Sequence, residues 1–304
     1  MLFFGIVGSA VANPAYRIGI ASPTDDHGWT GGVVWWAEQA IQEFGKTYPS
    51  IEFVLKLSES DKEQASQVEA MLDKKLDALI VLPHRPAPLT TVLNKAHQTG
   101  TFIVVVDRSI PKVPKNVYLA GDNYGFGYEC GVHMTKALGG KGNILVMEGI
   151  PCEGNSLRVN GFKNAITDSP GVVVMDSQPA FWNPAKAYDL MVQYLRQFPA
   201  IDAVWCGDDD VLEAAVQAYK ESGRKDIKFF LGGGGSKNIV KMILDGDPLV
   251  NATVTYSPKM MHEGIRIAVE HLMTGRTFER EIAIPSTLVT KENAKAFYYP
   301  DSIY

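Results

Sequence analysis

Ile103-Val104-Val105-Val106-Asp107-Arg108 is the stretch that decides the fold. Its four consecutive apolar residues predict a strand that is buried on both faces of a parallel sheet. An acid and an arginine follow at the carboxyl end of this strand, which is where open α/β sheets bind ligands. The pair offers acceptors and a planar fork of donors, which suits a ligand rich in hydroxyl groups. An ion pair that only holds a loop explains the two residues equally well.

The same alternation of strand and helix extends in both directions from this stretch. Strands are predicted upstream at Tyr16–Ala21, Ile51–Leu57 and Ala78–Leu82. The pattern starts again after Val117–Asn123 and continues as far as a strand at Ala252–Tyr256. Such alternation predicts parallel sheets covered by helices on both faces. One compact open sheet cannot hold this many strands, so two similar α/β lobes are expected.

Length, charge and cysteine content exclude several classes of protein. The chain has 304 residues and a formal net charge of -5. This length suits two domains, and the acidic balance leaves no basic patch for nucleic acid or anionic lipid. Cys130, Cys152 and Cys206 are odd in number and form no CxxC pair. They therefore support neither a zinc site nor a disulfide scaffold.

Residues 1–15 predict a secretory signal. Leu2–Val11 is apolar and rich in small residues, and Ala10-Val11-Ala12 has the form of a signal-peptidase site. A basic segment before the apolar run is missing, which would place the given start inside the signal. A leader without an export role is the alternative. Export would give a soluble periplasmic protein that begins near Asn13 or Ala15. No later segment reaches the length of a membrane-spanning helix.

Polar and aromatic side chains collect in the predicted loops after the strands. Carboxylates and amides hydrogen-bond to hydroxyl groups in fixed directions, and aromatic faces pack on the C–H face of a sugar. This mixture predicts a carbohydrate site. The residues are Asp25, Asp26, His27, Trp29, His84, Arg85, Asp107, Arg108, Glu153, Asn155, Arg158, Phe181, Trp182, Asn183, Asp208, Asp209, Asp210 and Tyr256.

Five short motifs, in this order and at this spacing, carry a family resemblance. They are Asp107-Arg108, Gly121-Asp122-Asn123, Arg158–Phe162, Val204–Asp209 and Ala252–Tyr256. With them the chain resembles the periplasmic sugar-binding proteins of the ribose-binding type, which are type I periplasmic binding proteins serving ABC importers. The resemblance covers essentially the whole chain after the signal.

The resemblance implies a fold, a function and partners. The fold is two Rossmann-like parallel-sheet lobes joined by a three-crossing hinge, formed by residues 16–122 with 257–285 and by 123–256 with 286–304. The function is to capture a neutral monosaccharide or sugar alcohol between the lobes and deliver it to an ABC transporter permease in the membrane. No catalysis and no cofactor are implied. A monomer is expected, and a chemoreceptor is left open as a second partner.

The resemblance also implies a set of ligand-binding residues. The set comprises Asp25, Asp26, His27, Trp29, Asp107, Arg108, Arg158, Trp182, Asp208, Gly234 and Tyr256. Two residues of this set depart from the family pattern. Asp208 stands where an amide is usual, and Gly234 stands where the family often has an Asp. The set of groups that would select ribose is therefore incomplete. The glycine run Gly232–Gly235 lacks the spacing of a phosphate loop, and a tight turn close to the ligand is expected there.

An enzyme acting on sugars or sugar phosphates is the alternative, because the fold alone does not separate the two classes. No nucleophile with a base, and no acid–base pair, can be placed in the sequence. Asp208–Asp210 could suggest a divalent cation, but no EF-hand spacing is present. A sugar-responsive repressor is disfavoured because the chain shows neither an N-terminal helix-turn-helix nor a basic segment.

Overall fold

The computed structural model describes residues 15–24 and 28–304. The predicted signal, apart from residue 15, and the site residues Asp25, Asp26 and His27 lie outside the described residues.

The strands in chain order are β1 (Tyr16–Pro23), β2 (Ile51–Ser58), β3 (Ala78–Val81), β4 (Phe102–Val106), β5 (Val117–Gly121), β6 (Lys141–Glu148), β7 (Gly171–Pro179), β8 (Ala203–Cys206), β9 (Phe229–Gly234), β10 (Ala252–Thr255), β11 (Glu281–Ile284) and β12 (Leu288–Thr290).

Helices alternate with these strands, as the sequence predicted. They are α1 (Gly28–Thr47), α2 (Asp61–Leu72), α3 (Pro86–Gln98), α4 (Asn123–Ala137), α5 (Glu153–Ile166), α6 (Pro184–Gln197), α7 (Asp209–Ser222), α8 (Lys237–Asp245), α9 (Met260–Thr274) and a short 3₁₀ helix at Ala294–Phe297. In the described ranges no helix is both long enough and apolar enough to cross a membrane.

The first sheet has the strand order β11-β5-β4-β3-β1-β2 in the described part of the chain. Strand β1 pairs in parallel with β2 and β3, and β3 pairs in parallel with β4. All five residues of β4 and all four of β3 are buried. The Val-rich stretch is therefore a central parallel strand, and Asp107 follows its carboxyl end as predicted.

The second sheet repeats the arrangement with the order β12-β10-β9-β8-β6-β7 among the described residues. Strand β6 pairs in parallel with β7 and β8, and β9 pairs in parallel with β8 and β10. Strand β12 runs antiparallel to β10. The fold class is confirmed, but β11 and β12 were not predicted, because strands of four and three residues carry too short a pattern to recognise.

The chain divides into two compact units. Among the described residues, the first unit comprises 15–23, 36–118 and 261–280, and the second comprises 24, 28–35, 119–260 and 281–304. Residues 28–35 belong to the second unit, whereas the boundaries implied by the resemblance put them in the first lobe, so helix α1 is divided between the units at Trp35 and Trp36. The lobe boundaries inferred from the resemblance remain a proposal.

The glycine run and the start of α5 differ from the sequence prediction. Gly232, Gly233 and Gly234 are the last three residues of β9 rather than a turn, and the backbone bends at Gly234 and Gly235, which have φ of 132° and 82°. Glycines can continue the strand because β10 pairs with them through Thr253–Thr255. Helix α5 begins already at Glu153, so Asn155 lies in a helix and not in a loop.

Helices α4 and α5 approach each other closely through glycines. A Cβ atom on Gly161 would lie 2.1 Å from the carbonyl oxygen of Tyr124, and one on Gly127 would lie 1.8 Å from the carbonyl oxygen of Arg158. A backbone atom cannot yield as a flexible side chain can, so any side chain at these positions would force the helices apart. The close contact holds Arg158 against α4.

We expect Gly161→Ala to lower the free energy of unfolding by about 1–3 kcal/mol, because overpacking at this contact must displace a helix. Gly45→Ala in α1 is the matched control, since its Cβ would meet no atom within 4 Å. That control should be neutral or stabilising by about 0.5–1 kcal/mol, the usual gain for Gly to Ala inside a helix. Urea unfolding of both variants measures the difference, and equal effects would refute the close-packing argument.

Candidate functional site

Arg158 is the buried cation around which the second unit arranges its polar and aromatic groups. Its side chain projects from α5, and the residue is 7% exposed. Nε donates to Oδ1 of Asn123 at 2.8 Å, and Nη1 donates to the carbonyl oxygen of Gly207 at 2.9 Å. A guanidinium has five N–H donors. Only these two hydrogen bonds engage it among the described residues, so donors remain for an incoming acceptor.

Aromatic rings surround the Arg158 guanidinium. Its Cζ lies 4.3 Å from the ring centroids of Phe126 and Tyr256 and 5.5 Å from that of Trp182. Cations within about 6 Å of a ring centroid are attracted by the π-electron face. The Tyr256 hydroxyl also accepts a hydrogen bond from Nδ2 of Asn123 at 3.2 Å. Neutral oxygens and rings, rather than a paired carboxylate, therefore stabilise the buried charge.

Trp29 joins this cluster through the backbone of Tyr256. Its indole Nε1 donates to the Tyr256 carbonyl oxygen at 2.8 Å, and the two rings lie 6.0 Å apart at an angle of 39°. The sequence placed Trp29 in a loop, but it is the second residue of α1. Its indole N–H is used within the protein, so Trp29 can offer a ligand its ring face rather than this donor.

Trp182 is held by an unusual backbone. Phe181 and Trp182 have φ of 60° and 51°, two consecutive residues other than glycine in the left-handed region. Each such residue costs of the order of 1–3 kcal/mol, and such strain clusters at ligand sites. The Nε1 atom of Trp182 is buried and finds no hydrogen-bond partner among the described residues. An acceptor on a ligand would satisfy this donor.

Glycines provide the space for the rings around Arg158. In each case the Cβ that the glycine lacks would fall within 2.3 Å of a ring atom, which is far below van der Waals contact. The pairs are Gly121 with Tyr256 at 2.3 Å, Gly149 with Trp182 at 2.2 Å, and Gly233 with Phe126 at 1.9 Å. Any side chain at these positions would displace a ring of the site.

Two of the three consecutive acids after β8 accept backbone N–H groups. Asp208 caps α7, because its Oδ1 accepts the N–H of Val211 at 2.8 Å. Asp209 is fully buried, and its Oδ2 accepts the N–H groups of Gly235 at 2.8 Å and Ser236 at 2.7 Å. Asp209 therefore fixes the bend that follows β9.

Other contacts complete the acid cluster. Oδ1 of Asp209 accepts the hydroxyl of Thr253 in β10 at 2.9 Å. A Cβ on Gly28, the first residue of α1, would lie 2.9 Å from Oδ1 of Asp210, so this carboxylate lies against the first turn of that helix. Burial raises the pKa of Asp209 to about 7, and burial together with the Asp210 charge raises the pKa of Asp208 to about 8. Desolvation disfavours the ionised form in both cases.

Asp107 and Arg108 belong to the first unit and are described separately. Asp107 has φ of 61°, a strained conformation for a residue other than glycine. Arg108 donates from Nη1 to the carbonyl oxygen of Pro83 at 3.1 Å, and its Nε lies 3.8 Å from Oδ2 of Asp107. The Tyr118 hydroxyl donates to the Asp107 carbonyl oxygen at 2.8 Å. Arg108 thus holds a loop, and Asp107 is held beside it in a strained conformation.

Within the part of the chain that the structure describes, no group of three or more His, Cys, Asp or Glu side chains could hold a metal ion.

A sequence model of the periplasmic binding protein domain matches residues 18–277, which is most of the chain. The chain belongs to the periplasmic binding protein family. Members of this family are solute-binding proteins of ABC importers and not enzymes. The predicted family, the predicted fold class and the periplasmic location that the family implies are confirmed.

Individual relatives of the periplasmic binding protein family cover most of the chain. The ribose import binding protein RbsB of Bacillus subtilis is 27% identical over 75% of this chain and 73% of its own. The galactofuranose-binding protein YtfQ of Escherichia coli is 25% identical over 97% and 95%. The xylitol-binding protein of Mycolicibacterium smegmatis is 28% identical over 80% and 70%.

Solved structures confirm the family fold. An ABC transporter periplasmic solute-binding protein from Actinobacillus succinogenes with bound D-allose superposes with a TM-score of 0.81 at 22% identity, covering 92% of this chain and 99% of that one. A solute-binding protein from Bacillus halodurans with bound myo-inositol gives 0.79 at 23% identity, covering 97% and 100%. At these identities the likeness concerns the fold alone.

Among the predicted ligand residues, the second unit brings four into one cluster. Arg158, Trp182, Tyr256 and Trp29 share contacts, as described above. Asp208 makes no hydrogen bond to Arg158 among the described contacts, because its carboxylate caps α7. The ligand-binding roles of all predicted residues stay predictions.

Sequence reasoning missed three residues that shape the site. Asn123 had a signal, since it lies in the motif Gly121-Asp122-Asn123, but its hydrogen bonds to Arg158 and Tyr256 join distant parts of the chain. Phe126 looked like an ordinary helix residue. Asp209 was noted only as one of three acids, and nothing local indicated that it would fix the bend at Gly235.

We expect the stability of the protein to depend on Asp209 in a pH-dependent way. The native pKa of about 7 exceeds the ordinary value of 3.8, so the native state binds the proton more tightly than the unfolded chain. The resulting stabilisation is complete below about pH 4 and is lost as pH rises through 7. Asp209→Asn keeps an acceptor without the charge, and its stability relative to wild type should therefore increase between pH 5 and pH 8.

Asp209→Ala is the matched disruptive variant. It leaves the N–H groups of Gly235 and Ser236 without their acceptor, and we expect a loss of roughly 2–4 kcal/mol at pH 5. This loss should become smaller towards pH 8, because the wild type itself loses stability as Asp209 ionises. Denaturant unfolding at pH 5 and pH 8 measures both variants. An Asn variant that loses as much stability as the Ala variant, with no pH trend, would contradict the assigned role.

Proposed function

We propose that this protein captures a neutral monosaccharide or sugar alcohol for an ABC importer. The observation that carries the proposal is the buried Arg158, which aromatic rings surround and which gives only two hydrogen bonds to the residues that the structure describes. Such a group binds hydroxyl oxygens in a fixed direction, and the rings offer apolar faces to the C–H groups of a sugar. The unpartnered N–H of Trp182 adds a second donor.

The acids of the second unit favour a neutral ligand over a phosphorylated one. Asp208, Asp209 and Asp210 lie together at the start of α7, and the charge of Asp210 raises the pKa of both Asp208 and Asp209. Since pKa values of about 8 and about 7 keep Asp208 largely and Asp209 partly protonated at neutral pH, the charge that an anion near Arg158 would meet is mainly that of Asp210. Sugar hydroxyl groups carry no charge and avoid the repulsion.

Similar proteins support the class of ligand. The names of three relatives refer to ribose, galactofuranose and xylitol, and two of the similar structures hold D-allose and myo-inositol. All five are neutral compounds rich in hydroxyl groups. Gly234 in place of an acid and Asp208 in place of an amide argue against carrying any one of these ligands over to this chain.

Asp107 and Arg108 are proposed to contact the same ligand from the first lobe. Their support is the strained backbone at Asp107, which lies at the carboxyl end of a central strand. The monomeric state and a chemoreceptor as second membrane partner are likewise proposals, which rest on the resemblance alone. Sedimentation velocity tests the first of them.

A thermal-shift screen of pentoses, hexoses, polyols and the matching sugar phosphates tests the function. A ligand that binds only the native state raises the midpoint of unfolding. We expect one or more neutral compounds to raise it and their phosphates to have no effect. Binding of a sugar phosphate without binding of any free sugar would refute the ligand class, and turnover of a bound sugar would refute a binding role.

Arg158→Met and Asp107→Ala should each weaken binding of the best ligand from this screen by at least about 30-fold, because one partner of a buried charged hydrogen bond is removed. Arg196→Met is the matched control, since this arginine is exposed in the last turn of α6. Calorimetry measures the affinities, and circular dichroism verifies folding. Unchanged affinity in a folded Arg158→Met protein would show that the ligand does not bind at Arg158.

The indole N–H of Trp182 can be tested against a second buried indole. Trp182→Phe removes the donor and keeps an aromatic ring, so affinity for the same ligand should fall about 3- to 10-fold. Trp205→Phe is the control, because the indole of Trp205 is also buried but stacks on Phe162 in the core. It should lower stability and leave affinity unchanged. The reverse pattern would show that Trp182 is a packing residue.

A further inference from the structure

Residues 299–304 pack against the second unit and are held there by hydrogen bonds. The N–H of Ser302 donates to the carbonyl oxygen of Tyr299 at 3.1 Å, and the N–H of Tyr304 donates to the Ser302 hydroxyl at 3.2 Å. Lys237, the first residue of α8, donates from Nζ to the Ser302 carbonyl oxygen. Ser302 is 1% and Tyr304 7% exposed. The Tyr304 side chain therefore has a defined place inside the unit.

Three glycines leave the space that Tyr304 fills. A Cβ on Gly234 would lie 1.9 Å from the Tyr304 hydroxyl oxygen. A Cβ on Gly32 would lie 2.9 Å from Cβ of Tyr304, and one on Gly28 would lie 3.1 Å from its ring carbon Cδ2. The hydroxyl thus occupies the position that any side chain at residue 234 would take.

Gly234 ends β9 immediately before the bend that Asp209 fixes. Its φ of 132° is a conformation that suits glycine and strains other residues. Residue 234 is also the position at which the family resemblance expects a carboxylate. In this chain the place of that carboxylate is filled by a phenol from another segment.

The charges around Tyr304 keep this phenol neutral. Burial, followed by the charges of Asp209, Asp210 and Asp208, raises the pKa of Tyr304 well above its ordinary value, and the opposing effect of Arg158 is smaller. A phenol hydroxyl both donates and accepts hydrogen bonds, whereas an ionised carboxylate only accepts. The exchange therefore changes which ligand groups can be recognised at this point.

We propose that Tyr304 is a specificity-determining residue of the sugar site, in which its hydroxyl replaces the side chain that Gly234 lacks. The proposal rests on the function proposed above. The ring closes the volume beside Gly234, and the hydroxyl forms one hydrogen bond with a ligand hydroxyl. A sugar that needs a carboxylate at this point should bind poorly.

Thermal unfolding without ligand tests the placement of Tyr304. Gly234→Ala should lower the midpoint by roughly 4 °C more in the wild-type background than in a Tyr304→Ala background, because only the former contains the clash. The backbone strain of alanine at φ 132° is present in both backgrounds and cancels. Gly223→Ala is the control, since its φ is 72° and its Cβ would meet nothing within 4 Å. Equal losses for Gly234→Ala in both backgrounds would overturn the placement.

Calorimetry with the tightest-binding compound from a panel of free pentoses, hexoses and polyols tests the ligand role. Tyr304→Phe should weaken binding about 3- to 10-fold, and Tyr304→Ala should also change the order of affinities within the panel. Tyr188→Phe is the control, because the hydroxyl of this tyrosine in α6 donates a hydrogen bond to the Glu221 carboxylate and not to a proposed ligand. It should change neither quantity.

The outcomes separate the two proposals. Sugar binding by wild type that is unchanged in Tyr304→Phe and Tyr304→Ala would overturn this inference and leave the proposed function standing. Tighter binding by Tyr304→Ala would show that the side chain blocks the ligand, which also overturns it. Failure of wild type to bind any panel compound would overturn the proposed function and the ligand role of Tyr304 together, while the thermal cycle would still report its placement.

Discussion

The second unit depends on keeping one guanidinium charged in its interior, and no carboxylate among the described residues forms an ion pair with it. Removing a cation from water is costly, and an isolated buried charge survives only where polar groups replace its hydration. Arg158 finds two neutral oxygens, on Asn123 and Gly207, and the faces of two rings at 4.3 Å. This arrangement stabilises the charge but does not use up its donors. A carboxylate paired with Arg158 would satisfy the charge and also occupy the group that a ligand needs.

The rings that surround the charge require glycine at particular positions on neighbouring strands and loops. Tyr256, Trp182 and Phe126 each lie where a Cβ would fall on Gly121, Gly149 or Gly233. These glycines therefore serve packing, and their tolerance of unusual backbone angles is secondary. The position of each ring is set by close contact with the main chain, which moves less than a side chain does. The rings are consequently fixed before a ligand arrives, and a preorganised site loses less entropy on binding.

The sequence predicted the fold well because the deciding signals are local. The alternation of strand and helix, and the fully apolar β4, can be recognised within short windows. Arg158 and Trp182 could be named as site residues because they follow strands. The role of Asp209 could not, since its partners Gly235 and Thr253 lie 26 and 44 residues away. The strand character of Gly232–Gly234 was missed for the same reason: pairing with β10, rather than strand propensity, holds these glycines extended.

The use of the three acids after β8 limits what a ligand can meet in this unit. A run of carboxylates suggests acceptors for sugar hydroxyl groups, but Asp208 accepts the N–H of Val211 and Asp209 accepts those of Gly235 and Ser236. Groups engaged with the backbone have less capacity for a ligand. Arg158 and the N–H of Trp182 are donors, so the chemistry that this unit presents is weighted toward donation. A ligand here must supply acceptor oxygens, and because the charge of the neighbouring Asp210 would repel an anion, those oxygens are best carried by a neutral molecule.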